Sequence, residues 1–99
     1  MPFTCTVPAI PTVLADDARV RITRWDFAPG ATTGWHEHAM PYAIVMVTAG
    51  TMLVDAGSGE PARIDLDAGN AYSRPSGIRH DVKNGGDVPM SFVEVEHKG

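Results

Sequence analysis

Gly69-Asn70-Ala71-Tyr72-Ser73-Arg74-Pro75-Ser76-Gly77-Ile78-Arg79-His80-Asp81-Val82-Lys83-Asn84 is the stretch on which the reading of this 99-residue chain turns. Pro75 and Gly77 prescribe a turn, because the proline ring fixes one backbone angle and glycine accepts conformations that other residues avoid. Runs of strand length flank that turn, so it joins two strands and aims His80 to one face. Upstream, His36 and His38 stand two positions apart. Side chains alternate across a strand, so this pair shares a face and can grip one ion from adjacent directions. A third imidazole must come from a neighbouring strand, and His80 is the candidate.

Outward from these histidines, glycine, proline and aspartate cut the chain into short segments: residues 19–27, 34–38, 42–48, 51–55, 62–67, 70–74, 80–83 and 90–96. Each has strand length, none sustains a helical period, and Val, Ile, Thr, Tyr, Phe and Trp recur in them. An all-β sandwich or barrel is the expectation. Residues 56–60 (Ala-Gly-Ser-Gly-Glu) predict a hairpin loop, and Asn84-Gly85-Gly86-Asp87 predicts a second tight connection. The length predicts one domain over residues 1–99, with residues 1–15 as an extended N-terminal arm or edge strand.

Composition narrows the partners. The chain is 43% hydrophobic, without an apolar run near the roughly 20 residues of a membrane helix, so no membrane association is expected. A net charge of −4 with scattered Lys and Arg argues against nucleic acid. Cys5 is the single cysteine, which rules out an intrachain disulfide and favours the cytoplasm. Residues 1–15 carry no charged side chain, yet Pro2, Pro8 and Pro11 suit an extended edge segment better than a signal peptide. An uncharged edge of this kind seals a barrel or crosses to a second subunit, so a homodimer is expected.

At these residues the chain resembles the cupin superfamily, in particular its small single-domain bacterial members. The family's second motif is glycine, five residues, proline, any residue, glycine, two residues, histidine, three residues, asparagine; Gly69, Pro75, Gly77, His80 and Asn84 meet it in full. Of the first motif, Gly30, His36, His38 and Gly50 match. The usual glutamate does not: its place falls on Tyr42 or Ala43, and strand parity favours Tyr42 as the inward residue. The resemblance implies a double-stranded β-helix, the jelly-roll cupin barrel. The segment Thr33-Gly34-Trp35-His36-Glu37-His38 followed by Tyr42 is similar to that of small bacterial cupins, some of them assigned to β-alanine catabolism.

The resemblance also implies a divalent metal on His36, His38 and His80. Three neutral imidazoles leave its +2 charge uncompensated and up to three positions open, which suits Fe(II) chemistry with small polar substrates. Zn, Mn, Ni and Cu also accept imidazole. Three-histidine sites lacking the glutamate recur among thiol dioxygenases and diketone-cleaving enzymes of the superfamily, so the first expectation is an Fe(II) dioxygenase. A non-catalytic ligand-binding module and a metal-dependent isomerase or lyase stay open. Tyr42 is the expected hydroxyl beside the open positions. Arg74 is a candidate anion clamp for substrate, or else a surface partner of Glu94 or Glu96. Glu94 alternates with Val93 and Val95, which predicts a solvated face for the acid; facing inward, it would be placed to supply the missing carboxylate. Trp25, Trp35, Phe27, Phe92, Met46, Met52 and Met90 are expected in the core or cavity wall, Cys5 as a structural thiol and His97 in solvent. Unshielded histidine ligands would lose metal as pH falls through about 6.5.

Overall fold

The computed structural model describes residues 7–57 and 59–99. Cys5 and the first part of the N-terminal arm lie outside that range. Nine strands and no helix occur among the described residues: β1 Ile10–Asp16, β2 Val20–Phe27, β3 His36–Glu37, β4 Tyr42–Met46, β5 Gly50–Asp55, β6 Ala62–Leu66, β7 Ala71–Arg74, β8 Arg79–Asn84 and β9 Met90–His97. Every segment expected from the sequence contains a strand. No helix among the described residues is long and apolar enough to cross a membrane.

The strands form two antiparallel sheets, ordered β1-β2-β9-β4-β7 and β3-β8-β5-β6. β5 and β6 do pair as the expected hairpin; Ser58 in their connection lies outside the described residues. Asn84-Gly85-Gly86-Asp87 instead carries the chain from one sheet to the other, since β8 and β9 belong to different sheets. This alternation between sheets is the jelly-roll barrel of the double-stranded β-helix.

Phe27, Met46, Met52 and Met90 are essentially inaccessible between the sheets, joined by Tyr42, Ile44, Val82 and Phe92. Phe27 and Phe92 pack with ring centroids 5.2 Å apart. Burying each such side chain contributes roughly 1.5–3 kcal/mol. Trp35 departs from expectation: it is 44% exposed and rests on the Gly57 hairpin rather than in the core.

The motif residues have separable physical tasks. Gly77 adopts φ +90°, a conformation that a side chain would strain, and so permits the turn that leads into His80. Gly50 is needed for space, because a Cβ there would stand 2.5 Å from the Met90 sulfur. Asn84 is buried and ties loop to barrel. Its Nδ2 donates to the carbonyls of Phe27, Ala28 and Val88, and its Oδ1 accepts from the Gly86 amide.

β1 is an edge strand on β2, with a register shift between Val13 and Ala15. All its side chains are exposed, Ile10, Val13 and Leu14 among them. They make an uncovered apolar edge.

Candidate metal centre

β3 and β8 pair so that His36 lies directly opposite His80. Beyond β3 the pairing persists: the His38 amide donates to the Ile78 carbonyl, and the Gly77 amide to the His38 carbonyl. The Pro75–Gly77 turn is thus fastened to the histidine pair, and all three imidazoles converge. Nε2 of His36 and His38 are 3.0 Å apart, and those of His38 and His80 are 3.1 Å apart.

Those spacings test the fit of a metal. Two nitrogens held about 2.1 Å from one ion at right angles stand about 3.0 Å apart, and at tetrahedral angles about 3.4 Å. Both spacings match the first case, in which His38 shares adjacent positions on one ion with His36 and with His80. The tautomers agree. Nδ1 of His36 lies 2.8 Å from the Gly34 carbonyl, which can only accept, so that nitrogen carries the proton and Nε2 presents a lone pair. Thr33 Oγ1 braces the same nitrogen at 3.2 Å. Burial, with the neighbouring His36, lowers His38 to about 4. Burial, followed by His36, His38 and Arg74, lowers His80 to about 4. Both rings are neutral donors at physiological pH.

Tyr42 takes the inward place and is 2% exposed, whereas Ala43 points outward; strand parity resolves the ambiguity as expected. The Tyr42 ring stacks on His38. Its hydroxyl is pushed up to about 12, mainly by burial and then by Tyr72. It is therefore a neutral phenol, a hydrogen-bond donor rather than an anionic ligand.

Glu94 corrects the reading from alternation. Phe92, Glu94 and Glu96 share the inward face of β9, and Val93 and Val95 the outward one. Glu94 is only 8% exposed. Its Oε2 lies 3.8 Å from Nδ1 of His38, too long for a direct hydrogen bond, and on the side of the ring away from the converging Nε2 atoms. It stands behind a ligand instead of replacing the missing one. Burial, reinforced by Glu96, pushes its carboxyl up to about 7 against a hydrogen bond from Trp25. With His38 neutral, the pair is not a salt bridge. The core residues Met90 and Phe92 set the parity of β9 and were the signal for this placement.

Arg74 faces Tyr42 across the β4–β7 pair, is exposed, and holds its guanidinium 5.9 Å from the Tyr72 ring centroid. It does not line the histidine cavity and pairs with neither Glu94 nor Glu96. That cavity, of about 130 Å³, is walled by the three histidines, Tyr42, Trp25, Ile44, Met52, Tyr72, Val82, Phe92 and the carboxylates of Glu37, Glu94 and Glu96. His97 is exposed at the end of β9, as expected.

A β-barrel with an inward cluster of three imidazoles that could hold a metal ion defines a class of small barrel proteins. The chain belongs to the cupin domain family, whose model matches residues 23–96. It is 44% identical to the Beta-alanine degradation protein BauB of Pseudomonas aeruginosa over 90 residues, 91% of this chain and 94% of that one. A cupin domain from Bordetella pertussis, known from its crystal structure, superimposes with a TM-score of 0.91 at 40% identity, covering 98% of this chain and 100% of that one. A germin-like protein (subfamily 2 member 1) of Arabidopsis thaliana is 32% identical over 89% of this chain but only 39% of its own length.

Proposed function

We propose that this cupin is a three-histidine, Fe(II)-type dioxygenase acting on a small polar molecule in the cytoplasm. The observation that carries the reading is the set of Nε2 atoms 3.0 and 3.1 Å apart, with no carboxylate oxygen among them. Bound there, iron(II) would supply Lewis acidity and redox chemistry toward O₂ with its full charge uncompensated. The chain's own residues do the rest. Trp25, Ile44, Met52, Val82 and Phe92 exclude water from one side of the cavity. Tyr42 offers a protonated hydroxyl to a bound oxygen or sulfur atom. Likeness to the Pseudomonas β-alanine degradation protein supports a role in the breakdown of β-alanine.

The experiment is anaerobic reconstitution with Fe(II), elemental analysis, and oxygen-electrode assays with small thiols, β-diketones and β-amino-acid catabolites. Near-stoichiometric iron with substrate-dependent oxygen uptake is expected. Turnover without oxygen uptake would transfer the protein to the isomerase or lyase class, and failure to take up any metal would make it a ligand-binding module.

We also propose a homodimer formed through the outer face of the five-stranded sheet. Ile10, Val45 and Val47 are 63%, 39% and 42% exposed there. The Arg24–Asp26–Ser91 hydrogen-bond cluster beside them carries both signs of charge, so a second copy can meet it about a two-fold axis. Light scattering after size exclusion should give twice the chain mass, and Val45→Lys should return the monomer.

A further inference from the structure

The histidine cavity is acidic on the side away from the Nε2 cluster, and among the described residues neither lysine nor arginine lines it. Of its three carboxylates, Glu37 is matched by Arg79 at 3.3 Å. Glu94 and Glu96 are not: the arginines that share their row of the sheet are directed elsewhere. Arg21, opposite Glu96 on β2, pairs with Asp16 at 3.5 Å, and Arg74 lies over Tyr72. We infer that the cavity takes a small molecule bearing a protonated amine, seated against Glu94 and Glu96 while its other end reaches toward the three histidines. The inference rests on the preceding reading only in taking this cavity as the ligand site.

Geometry separates an ammonium from a second metal ion here. One ring nitrogen of His38, a Glu94 oxygen and a Glu96 oxygen lie within 4.8 Å of one another. An ammonium spans two carboxylate oxygens about 4.6 Å apart with ordinary hydrogen bonds of about 2.8 Å. Two donors on one divalent ion stand about 3.0–3.4 Å apart, and the 3.8 Å between His38 Nδ1 and Glu94 Oε2 exceeds that. The rings of Trp25, Tyr42 and Tyr72 complete a wall that attracts cations. Size sets the last limit: a cavity of about 130 Å³ holds a ligand of roughly six heavy atoms, since benzene fills one of about 150 Å³.

The test is an NMR titration of the full-length chain, stripped of metal so that only the acidic wall is read, at pH 8. The reporter is the indole N–H of Trp25, which hydrogen-bonds to Glu94. The probes are propylammonium, 1-propanol and propionate. Propylammonium should bind at least tenfold tighter than the alcohol, and Glu94→Gln/Glu96→Gln should reduce it to the affinity of the alcohol. Should that double variant fail to fold, Glu96→Gln alone, at a partly exposed site, should cost at least threefold. Equal binding of amine and alcohol, tightest binding of propionate, or an amine affinity untouched by the substitutions would overturn the inference. Zinc stoichiometry, measured separately, reports on the histidines, so a failure of the metal reading is distinguishable from a failure of this one.

Discussion

The phenol ring of Tyr42 lies flat against the imidazole of His38, with centroids 3.8 Å apart and planes 19° from parallel. Because Tyr42 is itself packed in the core, this contact fixes the direction in which His38 turns Nε2. Tyr42→Phe keeps the stack, so metal content and stability should stay near wild type. Turnover should fall about tenfold, the value of one lost hydrogen bond to the substrate. Tyr42→Ala removes the stack and leaves a cavity, with an expected loss of about 3–5 kcal/mol and weaker metal binding. Urea denaturation and elemental analysis measure both effects; unchanged turnover in Tyr42→Phe would leave the tyrosine with a packing role alone.

His80 comes from β8 and stands opposite His36. Its substitution by alanine leaves two imidazoles, too few for a facial set. His80→Ala should therefore lose stoichiometric iron or manganese while circular dichroism reports an intact β-barrel. Full metal content in this variant would sink the three-histidine centre.

The pH dependence of the metal-free protein has a definite sign. His38 and His80 are lowered to about 4 in the fold, so between about 4 and 6.5 the unfolded chain binds protons that the native one does not. Stability is lost as pH falls through that window, on the order of 2 kcal/mol per ring. Glu94 is raised to about 7 and acts in reverse, losing stability as pH rises from about 4.5 to 7. The two rings outweigh the one carboxyl, so urea midpoints should drop on acidification, and Glu94→Gln should steepen the drop. Burial of these two rings shifts their share of proton-driven metal release below the pH of about 6.5 expected for unshielded imidazoles, which metal content measured against pH checks.

Asn84 has a structural task although it belongs to a motif that carries a metal ligand. Asn84→Ala removes the side-chain bonds to the Phe27, Ala28 and Val88 carbonyls and to the Gly86 amide, of which the Ala28 carbonyl keeps the Ala31 amide as a donor. A loss of about 2–4 kcal/mol is expected, visible as a lower urea midpoint. Once reconstituted at a temperature where the variant is folded, metal stoichiometry should be unchanged.

Much of this was legible in the chain itself. Alternation places His36 and His38 on one face, the Pro75–Gly77 turn aims His80, and parity selects Tyr42 over Ala43, because these depend on local backbone geometry with a period of two. Parity on its own names two faces without saying which is inside. Val93 and Val95 suggested one answer for β9, and the packing of Met90 and Phe92 between the sheets enforced the other, carrying Glu94 and Glu96 into the cavity. Trp35 was expected inside and is held at the surface by the Gly57 hairpin. The sequence by itself determined the strands, the turns and the histidine trio, since each is written in residues near one another or in motif spacing. Only the tertiary structure decided the 3.0–3.1 Å convergence of Nε2 atoms, the neutral rings and the acidic wall. Those arise from desolvation and from contacts between strands distant in sequence, brought together only when the two sheets close over a shared core.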